Sequence, residues 1–427
     1  MSTPLVLVGL SHRRAPVEIR ERLALSADEA AALAATLVDQ GGEAVCLSTC
    51  NRTEIYLALD DVGHGEGLAL SAMANASGME ADVLGVIVYR LHDDDVPLHL
   101  FRVAAGLDSL VPGEGEILGQ VRDAFERGRP GVLLDRMFRS AIHAGRRVRT
   151  ETAIGEVPAS VAAAAAALAE QLFGKLDTCR VLLVGAGKTG ELAARSLAAH
   201  GARIDFVANR SRAKAAEVCA RYGGAPISLD EIPARLAEID AVVCSTGARG
   251  HVITRSQVEP GLRARGGRPL FFIDIAVPRD VEPSVHELDG CFVYDIDDLE
   301  TVVVESAPER ADHLSRAEAI AGDEADGFRA WRASRDVVPA IASLRARAEE
   351  IRAGELDRMH GRLAQLSESD RSAVEALTAR IVHKLLHAPT VRLKEVAAGA
   401  DGAVAAELVR ELFDLAEDAA PDRNSRQ

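Results

Sequence analysis

The chain has 427 residues, of which 48% are hydrophobic and 27% charged, a globular balance with room for two or three separately packed domains. The net charge of −16 excludes a general nucleic-acid coat but leaves space for a local basic surface. No apolar run reaches the ~18 residues of a membrane span and the N-terminal one is too short for a secretory signal, so a cytoplasmic protein is expected.

Residues 4–11 (PLVLVGLS) predict a strand. A helix follows over 26–40, with Ser26 as N-cap and Glu29 at capping-box spacing. EAVCLS and TEIYLAL predict two strands around the polar turn TCNR, a helix covers 66–77, and GVIVYRL predicts a fourth strand. This order is βαββαβ, the signature of a ferredoxin-like α+β domain, and further helices run to about 150. From 180 onward the strands RVLLVG, RIDFVAN, AVVCST and LFFIDIA alternate with helical segments at 188–200 and 211–222. Crossover helices between strands imply a parallel sheet and a Rossmann-type domain. Beyond 305 the chain is helical and amphipathic, with a polar tail expected to be disordered. The expected organisation is an α/β multidomain chain with domains at 1–155, 156–305 and 306–427.

Gly185-Ala186-Gly187-Lys188-Thr189-Gly190 fits GxGxxG between an apolar strand and a helix, the context such a motif needs. Its glycines let backbone amides approach a pyrophosphate at a helix N-terminus. The next strand ends in Asn209-Arg210-Ser211, without the acidic residue that binds an unmodified ribose. Arg210 and Ser211 suit a 2′-phosphate, which favours NADPH; a solvated arginine at a helix start is the plainer alternative. Ser245-Thr246-Gly247 and Asp274–Arg279 end the next two strands, where cofactors sit or where loops simply turn.

The six cysteines show no zinc spacing and no disulfide framework. Five are expected to be structural. Cys50 sits in the polar turn Ser48-Thr49-Cys50-Asn51-Arg52, where the charge of Arg52 would favour the thiolate. Arg52 also suits a substrate carboxylate, through its two-pronged guanidinium. A turn cysteine can equally be incidental, and Cys46 belongs to the core. His99, flanked by apolar residues, is either a core side chain or a proton-transfer group. In GLDSLVPGEGEILGQ, the residues Asp108, Ser109, Glu114, Glu116 and Gln120 make a polar loop that suits an amino group, or is only a turn.

These residues resemble glutamyl-tRNA reductase nearly end to end, through GLSHRRAPVEIRE, STCNRTEIY, HLFRVAAGLDSLVPGEGEILGQVRDAF, GRRVRTET, VGAGKTGELAA, IDIAVPRDVEP, VVPAIASLR and KLLHAPTVRLKE. The resemblance implies that Cys50 attacks the ester of glutamyl-tRNA, releasing tRNA and leaving a glutamyl thioester. Hydride from NADPH then yields glutamate-1-semialdehyde, the first step of the route to 5-aminolevulinate and tetrapyrroles. It assigns an assisting role to His99 and a substrate pocket to Thr49, Cys50, Asn51, Arg52, Ser109, Glu114, Gly115, Glu116 and Gln120. Cofactor contacts fall on 185–190. It also implies a homodimer joined through the C-terminal helices, and leaves open whether the aminomutase that uses the product docks on it. Two positions depart from the family: Glu116 stands where Gln is usual, and the linker before the dinucleotide domain keeps only Ser160 of a serine-rich stretch.

Ile341, Leu344, Ala348 and Ile351 form one helical stripe, and Ile381, Leu385 and Leu386 a second; these helices either pack on one another within the chain or pair with a second copy, and the second arrangement is expected. Arg136, Arg139, Arg146, Arg147 and Arg149 share a helix that suits tRNA phosphates or internal ion pairs. Competing readings are a shikimate- or semialdehyde-type dehydrogenase, for which the STCNR turn would be superfluous, and a non-catalytic tRNA-binding protein.

Overall fold

Strand β1 (Leu5–Ser11) is buried along its whole length, because helices cover both faces of its sheet. On one face Val6, Val8 and Leu10 pack with Ala30, Ala34, Ala69 and Met73, from helices α1 (Ala27–Val38) and α2 (Val62–Ser77). On the other face Tyr56 meets Phe138 edge-on, with ring centroids 5.3 Å apart. The capping box of Ser26 and Glu29 forms as expected. With β2 (Glu43–Ser48) and β3 (Arg52–Ala58), the sheet order is β2-β3-β1-β4 and every pairing is antiparallel. That is the ferredoxin-like order. The fourth strand differs from its expected bounds. Residues Ala81–Ile87 form helix α3, and β4 spans Tyr89–His92. A short apolar run does not distinguish helix from strand; here Leu84 is buried while Val83 and Val86 face solvent. Helices α4 (Asp95–Ala104), α5 (Glu116–Arg127) and α6 (Val132–Glu151) follow.

Helix α7 (Val161–Phe173) starts at Ser160, whose Oγ accepts from the Ala163 amide at 3.1 Å. The lone linker serine therefore caps a helix. Its alanines pack into one core with β5 (Arg180–Val184) and α8 (Lys188–Ala199). The second sheet continues with β6 (Arg203–Ala208), helix α9 (Arg212–Tyr222), β7 (Ala225–Ile227), β8 (Ala241–Cys244), helix α10 (Arg255–Ala264), β9 (Leu270–Asp274) and β10 (Cys291–Tyr294). Its six strands are parallel, in the order β10-β9-β8-β5-β6-β7. Strand order reverses between β5 and β8, and ligands bind outside such a switch point. The sequence pattern shows four of these strands; β7 is three residues long with Pro226 at a sheet edge, which weakens its signal.

The structure, a computed structural model, describes residues 3–152, 154, 160–299, 311–397 and 402–415. The expected boundaries near 155 and 305, and the polar tail, lie outside the described residues. The chain divides into two units, Pro4–Glu324 and Ala325–Gln427 with Met1–Thr3. In the second, Val337, Ala340 and Ile341 of helix α11 (Ala311–Arg358) share a small core with Leu393 of α12 (Glu368–Ala397) and Ala406 of α13 (Gly402–Phe413). The expected first stripe therefore splits: Ile341 and Leu344 are buried within the chain, while Ile351 is exposed. Leu377, Ile381 and Leu385 on α12, and Val404, Leu408 and Leu412 on α13, form exposed apolar rows at four-residue spacing. Among the described residues no helix is long and apolar enough to cross a membrane.

Candidate active site

The turn between β2 and β3 is held by its own side chains. Thr49 Oγ1 accepts from the Asn51 and Arg52 amides, both at 3.2 Å, and the Thr49 amide donates to the Arg52 carbonyl at 2.8 Å. The His12 amide donates to the Asn51 carbonyl at 2.9 Å. Cys50 is partly buried on this turn. Burial pushes its thiol up to about 12; the negative charge of Glu114 adds to the effect and Arg20 opposes it.

Arg52 does not act on Cys50 as the sequence suggests. It is the first residue of β3 and its side chain turns inward, 1% exposed. Its Nη1 donates to Glu54 Oε1 and Asp108 Oδ2, each at 2.9 Å, and its Nη2 donates to the Asp108 carbonyl. The cation beside the thiol is Arg20, whose Nη1 donates to the Cys50 carbonyl at 2.7 Å.

Glu54 is the centre of this interior network. It lies on β3 between Thr53 and Ile55 and is fully buried. His99 Nε2 is 2.8 Å from its Oε1, and the hydroxyls of Tyr89 and Tyr56 donate to Oε1 and Oε2. Burial works against its charge, yet His99, Arg52 and these hydrogen bonds hold it well below the usual carboxylate range. His99 thus has a defined partner and is not a plain core side chain. A carboxylate in the middle of the strand TEIYLAL was the signal for Glu54, since acidic residues are rarely buried without partners.

The 106–116 loop is braced from α6. Arg149 donates from Nη2 to the Glu114 carbonyl at 2.8 Å and from Nη1 to the Gly115 carbonyl at 3.2 Å. Ser109 and Glu114 are buried, and burial raises the Glu114 carboxyl to about 7 despite a hydrogen bond from Ser109. Glu116 Oε1 is buried without a hydrogen-bond partner, 3.9 Å from Lys188 Nζ. Gln120 lines a separate cavity of about 130 Å³ with Cys46 and Ser48. The arginine helix is not a row of free cations: Arg139 pairs with Asp135, Arg147 with Glu151 and Glu324, and Arg149 with the loop carbonyls.

Across from this loop, a cleft of about 320 Å³ opens at the switch point, lined by Gly185, Ala186, Gly187, Asn209, Arg210, Ser211, Lys214 and Ser245–Ala248. Gly185 has φ +107°, and a Cβ on Gly190 would lie 2.3 Å from the Gly185 carbonyl, so both positions need glycine. Around Gly187 the space is open, directly before the N-terminus of α8. Lys188, Thr189 and Gly190 form the first turn of that helix. Ser211 caps α9 with Oγ, and Asn209 Nδ2 donates to the Ser211 carbonyl at 3.0 Å. Arg210 and Lys214 are exposed at the cleft rim. Open space before a helix N-terminus and close glycine packing fit a dinucleotide, and two cations stand at the rim. Asp280 accepts from the Thr246 amide at 2.7 Å and from its hydroxyl, fixing the loop after β8.

The two halves of the site meet. Cys50 packs against the same apolar cluster as Leu110, Val111, Ile275, Ala186, Val277 and Tyr294. The thiol turn, the polar loop and the carboxyl edge of the dinucleotide sheet thus share one apolar core. Of the cysteines, Cys46, Cys179, Cys244 and Cys291 are buried; Cys219 is partly exposed, against the expectation of a fifth buried thiol.

Three family profiles match the chain. "Glutamyl-tRNAGlu reductase, N-terminal domain" matches residues 8–152, "Shikimate / quinate 5-dehydrogenase" residues 167–302, and "Glutamyl-tRNAGlu reductase, dimerisation domain" residues 316–415. A glutamyl-tRNA reductase of Brevibacillus brevis is 39% identical over 420 residues, covering 97% of this chain and 92% of the relative. One of Myxococcus xanthus is 42% identical over 419 residues, covering 97% and 94%. The solved structure of glutamyl-tRNA reductase from Methanopyrus kandleri is 33% identical, covers 97% of this chain and 100% of that one, and superposes with a TM-score of 0.49.

Proposed function

The chain belongs to the glutamyl-tRNA reductase family, and from that premise we propose that it reduces glutamyl-tRNA to glutamate-1-semialdehyde through a thioester on Cys50, with NADPH as the reductant. The observation that carries this reading is that Cys50 packs on the same apolar core as Leu183 of β5, Val243 of β8 and Ile275 just after β9. A shikimate-type dehydrogenase does not call for a cysteine turn on that core.

Cys50 Sγ forms a bond to the ester carbonyl carbon, the bond to the tRNA oxygen breaks, and the tRNA leaves with its hydroxyl restored. The thiol proton must depart as the bond forms, since the thiol is held up to about 12. Glu114 is buried with its carboxyl raised to about 7 and its charge acts on this thiol, and we assign it to take that proton. His99, oriented by Glu54, supplies a second group for proton transfer. A reduced nicotinamide, when bound in the cleft, supplies the hydride. The thioester carbonyl accepts it, the C–S bond breaks, and the aldehyde leaves Cys50 free. The test is to mix purified protein with glutamyl-tRNA with and without NADPH. A glutamyl adduct on Cys50 without NADPH, and semialdehyde with it, are expected; no adduct and no cofactor oxidation would reject the reading.

NADPH is assigned over NADH because Arg210, Ser211 and Lys214 line the cleft and, among the described residues, no carboxylate lines it. Arg210→Ala is expected to lower kcat/KM for NADPH about tenfold, the scale of one charge-assisted hydrogen bond, and leave NADH nearly unchanged. Equal use of both cofactors by the wild type would contradict the assignment.

Homodimerisation through α12 and α13 accounts for their exposed apolar rows. The full chain is expected to sediment as a dimer at micromolar concentration, and a chain ending at residue 310 as a monomer. A monomeric full chain would reject this. The aminomutase remains a proposed visitor to the assembled enzyme, for which co-sedimentation is the direct check.

A further inference from the structure

The short turn Val17–Leu23 packs between the thiol turn and the dinucleotide half of the first unit. Three of its four charges, Glu18, Arg20 and Glu21, find an opposite charge on the far side, while Arg22 donates to the Ser77 and Gly78 carbonyls. Arg20, 4% exposed, reaches both ways. Its Nη1 donates to the Cys50 carbonyl at 2.7 Å and to Asn51 Oδ1 at 3.4 Å, and its Nη2 donates to Asp297 Oδ1. The other Asp297 oxygen accepts from the Val17 amide at 2.9 Å. The Asp297 amide in turn donates to Asp295 Oδ1 at 2.9 Å, which fixes the carboxylate just after β10. Arg279, just after β9, returns the contact. Its Nη2 and Nε donate to the two Glu21 oxygens at 2.9 and 3.1 Å, and its Nη1 donates to Glu18 at 2.6 Å.

We infer that Arg20 is a positioning residue for the reductive step: with Asp297 and the Arg279–Glu21 pair, it ties the backbone of Cys50 to the carboxyl edge of the dinucleotide domain. This rests on the function proposed above. Charged, directional pairs hold one register of two surfaces and penalise others. A guanidinium offers several donors in a fixed plane, so one arginine can hold the Cys50 carbonyl and Asp297 together; a lysine has no such fork. Acyl transfer needs only the thiol, the loop and the ester. Reduction also needs the thioester aligned with the nicotinamide edge. The contact is therefore required for the second step and not the first.

Asp297→Asn and Arg279→Ala break the contact without touching the thiol turn. Each is expected to cut NADPH-dependent reduction tenfold or more, with thioester formation in the absence of NADPH within about twofold of wild type. The accumulated thioester is then lost to water as free glutamate in place of aldehyde. A second measurement needs neither cofactor nor tRNA. Alkylation of Cys50 by iodoacetamide, mapped by peptide mass, is expected to speed up several-fold in both variants because the thiol turn loses its cover. The charge swap of Glu18→Arg and Glu21→Arg with Arg279→Glu is expected to restore slow alkylation, which a variant that merely unfolds does not do. Wild-type alkylation and wild-type reduction in Asp297→Asn would overturn the inference. Altered alkylation in a protein that forms no glutamyl adduct would uphold the contact and reject the proposed function instead.

Discussion

Cys50→Ser is expected to lower reduction of glutamyl-tRNA by at least ~10³-fold while the fold and cofactor affinity persist. The physical reason is the leaving group as much as the nucleophile. A serine hydroxyl is a far poorer nucleophile near neutral pH, and an oxygen ester at this position would be less reactive to hydride than a thioester. The turn should survive, because bonds from Thr49, His12 and Arg20 hold it. Cys46→Ala is the control. Cys46 is buried in the core of the first domain, with its thiol pushed up to about 12 by burial, so this variant should lose stability but keep turnover. Single-turnover assays with mass detection of the adduct decide the matter; substantial turnover in Cys50→Ser would end the thioester mechanism.

Arg52→Ala is expected to be the most destabilising single change at the site, by about 3–5 kcal/mol, because it strips the partner from a buried carboxylate. Glu54 and Asp108 both lose a hydrogen bond at 2.9 Å, and Glu54 keeps its charge in a place without water. The loss then reaches His99, whose 2.8 Å contact to Glu54 depends on that carboxylate staying in place. Arg52→Lys keeps a charge but cannot serve Glu54, Asp108 Oδ2 and the Asp108 carbonyl at once, so it should be partly destabilised and slow. Denaturant melts beside kinetics separate this account from direct substrate binding. If Arg52→Lys melts like wild type and only KM rises, Arg52 contacts the substrate as first expected.

Much of the site was legible in the residues. Gly185–Gly190 announced itself because close packing and a positive φ restrict which residue fits, and because a strand precedes it and a helix follows. Asn209–Ser211 was legible by the missing acid. Cys50 stood out as the cysteine of a polar turn. The 106–116 loop was visible as a dense polar run, although its support from Arg149 was not, since Arg149 lies 34 residues beyond Gly115. Glu116 is visible as a departure from the family, and the structure gives it Lys188 as its nearest cation.

The sequence by itself determined the βαββαβ order, the parallel dinucleotide sheet and the helical C-terminus, because periodicity, capping and turn residues act over a few neighbours. It also offered Cys50 and the 185–190 loop as candidates from their turn chemistry, and His99 with the help of the resemblance. Only the tertiary structure decided which charge faces which. Arg52 stands two residues from Cys50 yet turns inward, because β3 begins at Arg52 while Cys50 lies on the turn before it, and the partner carboxylates of Arg52 lie inside. Arg20 stands 30 residues away and holds the Cys50 carbonyl. Pairing of buried charges is settled by which groups the fold brings within about 3 Å in a place without water, and sequence separation carries no record of that distance.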